Sequence, residues 1–178
     1  TLERGHPMIG KKIQDALNQQ INAELYSSYL YLSMAAYFES ENLSGFAQWM
    51  RAQSAEETGH AMKFFDFVIE RGGDVSLAAI DGPPTEWASP LAVFEETLKH
   101  EQKVTGLIND LVDLARLEKD HAAEIFLQWF VTEQVEEESS VEDALHKLRL
   151  AGDAPNLLFM LDRELGGRPG GAPAAGGQ

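Results

Sequence analysis

The chain has 178 residues and a formal charge of −15, with 29 Asp and Glu against 14 Lys and Arg. That balance makes nucleic acid and anionic membrane poor partners and cations good ones. There is no cysteine, which excludes disulfides, thiolate zinc sites and thiolate-held iron centres.

The N-terminal stretch Thr1 to Pro7 lacks a signal peptide's apolar core, and no apolar run could span a bilayer. The expectation is a cytoplasmic protein of one domain. Pro7 suits the first turn of a helix. From there Ile13, Leu17, Gln20, Glu24, Ser27, Tyr31, Met34 and Phe38 recur at spacings of three and four, an amphipathic seam running to about Glu39. Glu24 lies inside that apolar seam, where a carboxylate is expensive unless something neutralises it.

Ser44 is a candidate N-cap for a second helix, whose seam reads Phe46, Met50, Gln53, Glu57, His60, Phe64 and Phe67 before Gly72-Gly73 ends it. Glu57 and His60, three apart, share a face and can converge on one metal. The segment Gly73 to Ser89 breaks the pattern around Asp81-Gly82-Pro83-Pro84. It is long for a bundle loop, but an extended run of that length reaches roughly 55 Å. The second helix is roughly 40 Å long. The segment can therefore return along the whole helix and leave helices two and three parallel, with Leu77 and Trp87 expected to tack it down.

Ser89-Pro90 reads as a cap and first-turn proline for helix three, with Phe94, Thr97, Glu101, Val104, Ile108, Leu111 and Ala115 in its seam. Asp120 caps helix four, read with Phe126, Trp129, Phe130, Glu133, Glu137, Ser140, Ala144 and Leu148 inward. Gly152 stops it. Pro155 opens a short fifth helix through Leu165, and 166–178 is a Gly, Pro and Ala-rich segment expected to be a flexible tail. The predicted fold is all-α: a four-helix bundle over 1–165 with one long crossover and a short fifth helix.

Each long helix thus sets acid in its buried stripe: Glu24, Glu57 with His60, Glu101, then Glu133 and Glu137. Isolated buried carboxylates would each be destabilising by several kcal/mol or become neutral. A pair of divalent cations removes that penalty, and an oxygen-rich set with one imidazole suits iron, with Mn and Zn as competitors. The alternative is a structural network of buried acids.

The stretches Gln20-Ile21-Asn22-Ala23-Glu24 with Tyr31, Glu56-Glu57-x-x-His60-Ala61, His100-Glu101, and 127–138 around Trp129, Glu133, Gln134, Glu136 and Glu137 resemble the non-haem ferritins of bacteria and archaea. The likeness covers roughly residues 8–165. It implies an iron-storage protein that oxidises Fe(II) to Fe(III) with dioxygen or hydrogen peroxide and keeps the product as a ferric mineral. It implies site A from Glu24, Glu57 and His60, and site B from Glu57, Glu101 and Glu137. A third iron site, C, would use Glu56, Glu133, Glu136 and Glu137 with Gln134 nearby. It implies a role for Tyr31 and Trp129 as electron donors beside the iron, against simple core packing, and a homo-oligomeric shell of twenty-four subunits. Bacterioferritins carry a Met after the first motif's Glu and a second Glu-x-x-His; here Thr58 and Glu136 stand there, so no haem is expected. A non-storage di-metal oxidase or peroxidase is the second reading. His6, His100, His121 and His146 are expected at the surface or in packing, and Glu138 on a solvated face. Asp120 and Glu124 suit either an ion entrance or an N-cap with a first-turn acid.

Overall fold

The computed structural model describes residues 8–167. It contains α1 (Lys11–Ser40), α2 (Ser44–Glu70), α3 (Pro90–Leu117), α4 (His121–Ala151) and α5 (Pro155–Gly166), with no strand among the described residues. The predicted all-α bundle is therefore the observed architecture. The expected tail lies, from residue 168 onward, outside the described residues, as does Pro7.

Every seam residue assigned to α1 and α3 is buried. Asp120 and Ser89 act as the predicted caps, accepting from the backbone N–H of Ala123 and Ala92. Two helix starts differ from expectation. α1 begins at Lys11 behind Gly10, leaving 8–10 non-helical, so the helix does not start at Pro7. Ser44 is already inside α2, and Leu43 occupies its cap position without a side-chain bond. The missing acceptor comes from far along the chain: Asp162 Oδ1 on α5 accepts from the Phe46 N–H at 2.9 Å. A Cβ on Gly45 would lie 1.7 Å from the Asp162 carbonyl oxygen, so only glycine lets α5 approach this closely.

The crossover, residues 71–89, runs along α1 in the same direction as that helix, which makes α2 and α3 parallel. Gln14, Asn18 and Asn22 side chains bond crossover backbone at Asp74, Ser76 and Ala79 (each 3.0 Å), and Ser33 Oγ donates to the Pro84 carbonyl at 2.6 Å. Trp87 helps as expected, with its ring against Tyr37 and its Nε1–H donated to Glu96. Leu77 does not: it is 66% exposed. The polar face of α1 holds the middle of this segment, and Val75 and Trp87 pack against the core near its two ends.

The α4 stripe is rotated from its predicted position in the first half. Ala123, Leu127, Phe130, Gln134, Glu137, Val141, Ala144 and Leu148 face inward, whereas Phe126, Trp129, Glu133 and Ser140 are half-buried. Similarly Val68 is buried in α2 where Phe67 is only half-buried. In both cases a large aromatic beside the true stripe mimics it by spacing.

Two apolar clusters form the core. One gathers Tyr31, Met34, Phe38, Phe46, Trp49, Phe94 and Leu148 at one end. The other gathers Leu17, Ile21, Phe64, Val68, Ile108, Leu127 and Phe130 at the opposite end. Buried polar side chains at mid-helix, Gln20, Glu24, Gln53, Glu57, His60, Glu101, Gln134 and Glu137, occupy the layer between them. The bundle interior is thus apolar, then acidic, then apolar along its length.

Candidate metal centre

The four long helices converge their acids in that middle layer. Glu24 comes from α1, Glu57 and His60 from α2, Glu101 from α3 and Glu137 from α4, each 5% exposed or less. Glu24, Glu57 and His60 can present ligand atoms all within 4.8 Å of one another, and so can Glu57, Glu101 and Glu137. Glu57 belongs to both groups and can bridge them. A third group, His60, Glu133 and Glu137, meets the same criterion on the flank.

Glutamine amides brace three of the carboxylates. Gln20 Nε2 donates to Glu24 Oε1 (2.9 Å), Gln53 Nε2 to Glu137 Oε2 (2.8 Å) and Gln134 Nε2 to Glu101 Oε2 (3.2 Å). The Tyr31 hydroxyl donates to the other oxygen of Glu101. His60 Nδ1 stands 3.1 Å from Glu57 Oε2, a separation suited to a hydrogen bond or to two ligand atoms meeting on one ion. These contacts fix the carboxylate planes before any cation arrives.

Electrostatics show what the arrangement lacks. Burial pushes Glu24 up to about 7, only partly offset by its contacts with Glu57 and Gln20. Burial, then the charges of Glu101, Glu24 and Glu137, raises Glu57 well above the carboxylate range. Burial likewise raises Glu101. His60 is lowered to about 4, first by burial and then by Lys63, so it is neutral and a competent ligand at neutral pH. Glu24 Oε2 is buried with no N–H or hydroxyl donor. It faces a site where Glu24 and Glu57 interact directly, so a shared proton or a cation must neutralise them.

The remaining predicted ligands fall on the flank. Glu56 and Glu133 are half-buried and Glu136 is exposed. Burial, then Glu136 and Glu56, raises Glu133. Gln134 points instead to the centre, with its amide nitrogen on Glu101 and on Thr105 Oγ1. Glu138 is half-buried, not on a solvated face, because Thr105 Oγ1 donates to it at 2.5 Å. Trp129 packs edge-on to His60 at 5.4 Å, with Lys63 Nζ 4.0 Å from the centroid of its own ring. His100 packs against Tyr31 and His121 and His146 are exposed, whereas His6 lies outside the described residues. Asp120 caps α4 and pairs with Arg71 at 2.9 Å, and Glu124 pairs with Arg116 at 2.7 Å. The bracing roles of Gln20 and Gln53 leave no mark in the sequence pattern, although both sit in the predicted seams one turn from an acid.

The ferritin-like domain family matches residues 14–151. The bacterial non-heme ferritin of Bacteroides fragilis is 50% identical over 161 residues, 90% of this chain and 100% of the relative. That of Staphylococcus saprophyticus is 40% identical, covering 90% and 96%. Among solved structures, an open pore ferritin from the hyperthermophilic archaeon Archaeoglobus fulgidus superposes with a TM-score of 0.90 at 57% identity, covering 90% of this chain and 99% of that one. An engineered closed form of the A. fulgidus ferritin gives the same TM-score and identity, covering 90% and 98%. A family match across most of the bundle, joined to relatives of this identity and coverage, means that the chain belongs to the ferritin family.

Proposed function

We propose that the chain stores iron by oxidising Fe(II) at the buried carboxylate layer and passing Fe(III) to a mineral. The observation that carries this reading is the pair of overlapping ligand groups sharing Glu57, set where unneutralised acids would be destabilising. One Fe(II) would take Glu24, Glu57 and His60, and the other Glu57, Glu101 and Glu137. Two Fe(II) supply two electrons, which reduce dioxygen and two protons to hydrogen peroxide, or hydrogen peroxide and two protons to two waters. The chain's residues hold the irons adjacent, exclude bulk water with the flanking apolar clusters, and stabilise the higher charge of Fe(III) with carboxylates.

The flank group His60, Glu133 and Glu137 supports a third iron position, with Glu56 and Glu136 contributing charge at its outer edge. Thr58, whose hydroxyl bonds to Ser54 and Ser28, has no thioether with which to ligate haem iron, and we propose a centre without haem. None of the described helices is long and apolar enough to cross a membrane. One bundle cannot enclose a mineral, so storage requires a closed homo-oligomer, for which we propose twenty-four subunits. Exposed Leu157, Phe159 and Met160 on α5 and Ile125 on α4 support such contacts.

Aerobic loading with excess Fe(II), followed by size exclusion with iron analysis, tests the reading. Storage retains far more than three irons per chain within one large particle. Retention of three or fewer would replace storage with a di-metal oxidase.

A further inference from the structure

On the outer face of α1 and α3, beneath the crossover, lies a cavity of about 430 Å³ that the iron chemistry does not use. Its walls include Asn22, Tyr26, Asp81, His100, Lys103 and Leu107. It is neither a bare acidic patch nor an apolar groove. Two rings, Tyr26 and His100, stand beside one another with centroids 6.0 Å apart, and a carboxylate and an ammonium complete the mouth.

The inner side of the same wall reaches the metal centre. His100 is edge-on to Tyr31 with centroids 5.9 Å apart at 88°, and Tyr31 donates its hydroxyl to Glu101. His100 Nε2 lies 2.7 Å from Ser27 Oγ, which fixes the imidazole between the two phenols. A continuous row of rings, Tyr26, His100 and Tyr31, therefore joins the cavity to one iron ligand in steps of about 6 Å between ring centres. The other route out of the layer, past His60 and Trp129, has Lys63 over the indole, whose positive charge opposes removal of an electron there.

We propose that this cavity is a docking site for a small hydroquinone-type reductant, and that the row of rings Tyr26, His100 and Tyr31 conducts its electrons to the iron pair. The inference rests on the two-iron reading above. An aromatic diol matches the ring-lined wall through stacking, and its hydroxyls match the Asp81 carboxylate and the Lys103 ammonium. The reaction balances as one hydroquinone and two Fe(III) giving one quinone, two Fe(II) and two protons released to solvent. The function would be reductive mobilisation of iron from the oxidised centre without opening the bundle.

The test uses the assembled protein loaded with two Fe(III) per chain, placed under anaerobic conditions with a ferrous chelator and a hydroquinone series. In wild type the rate of Fe(II) appearance should saturate with hydroquinone. Leu107→Trp, which fills the cavity from a half-buried position, should raise the half-saturating concentration at least tenfold. Tyr26→Leu, which interrupts the row of rings, should lower the saturating rate at least tenfold, with helical circular dichroism unchanged in both. A rate linear in hydroquinone for wild type, or the same saturation curve in Leu107→Trp, would overturn the proposal. Loading is followed first by rapid Fe(II) oxidation in wild type. Failure at that step removes the two-iron reading itself, and the docking site with it, whereas normal loading followed by unsaturable reduction removes the docking site alone.

Discussion

Substitution of Asp162 offers the sharpest check on how α5 is joined to the bundle. Its side chain is 7% exposed and Oδ1 accepts from the Phe46 N–H at 2.9 Å, supplying the cap that Leu43 cannot. Loss of a capping side chain is destabilising by about 1 kcal/mol. Here Phe46 is fully buried, so its N–H would also be left without water, a further penalty of about 1–2 kcal/mol. Asp162→Ala should therefore lower stability by about 2–3 kcal/mol. At roughly 2–4 °C per kcal/mol for a chain of this size, that is a fall in Tm of about 4–12 °C. Asp162→Asn keeps an oxygen acceptor and loses only the favourable charge at the helix N-terminus, about 0.5 kcal/mol. The assay is thermal unfolding of the metal-free protein, with limited proteolysis reporting release of α5. Equal midpoints for Ala and Asn would refute the reasoning, since they would show that the hydrogen bond to Phe46 contributes nothing.

Further predictions concern the metal layer. Glu57→Ala or His60→Ala should slow rapid oxidation by about 100-fold or more, since even outer partners of metal ligands are worth about 10–100-fold. The bundle should stay folded; unchanged stopped-flow oxidation in either variant would remove the assignment. Gln53→Leu takes the amide from Glu137 at similar volume and should weaken Co(II) binding about 10–100-fold, which anaerobic titration would show. For the metal-free protein, burial raises Glu24 to about 7 and raises Glu57 as well, so both are favoured neutral in the fold; the Glu24 contribution is full below the ordinary carboxylate value of 4.5 and is lost as pH rises to about 7. The opposing contribution of His60, lowered to about 4, is complete above about 6.5. Unfolding midpoints should therefore fall as pH rises from 6.5 to about 7 without metal and hold steady with Zn(II) bound; a rising metal-free midpoint would contradict the assigned shifts. Glu133→Ala should lower Fe(II) stoichiometry at the flank while Glu142→Ala, at an exposed position on the same helix, leaves it unchanged, and equal anaerobic titrations in both would end the third-site proposal.

Much of this molecule was legible because one physical signal, three-and-four spacing, reports both the core and the acids embedded in it. Glu24, Glu57, His60 and Glu101 are legible since a carboxylate or imidazole amid apolar seam residues stands out. The signal fails where two candidate stripes compete. On α4 the aromatic bulk of Phe126 and Trp129 drew the seam toward Glu133, while packing set Gln134 inward to bond Glu101. Partnerships between distant residues leave no periodic trace. The Asp162 cap on α2 and the Gln53 bond to Glu137 each link positions over eighty residues apart. Ser44 reads as a cap because it is the right residue type locally, and local chemistry cannot register that α5 arrives to do that work.

The manner in which α1 holds the crossover bears on which parts of the chain can be rewritten. Asn18 and Asn22 grip backbone carbonyls of Asp74, Ala78 and Ala79, and Gln14 and Asn18 accept backbone N–H groups of Asp74 and Ser76. These bonds read the path of the segment and are indifferent to its side chains. Leu77 and Ile80, both exposed, can therefore be exchanged for polar residues with little loss, and an epitope or affinity peptide can be written into 76–80 in place of the native letters. The information that shapes this stretch is stored on another helix. A designer who wishes to move the crossover should edit Asn18 and Asn22, not the crossover itself.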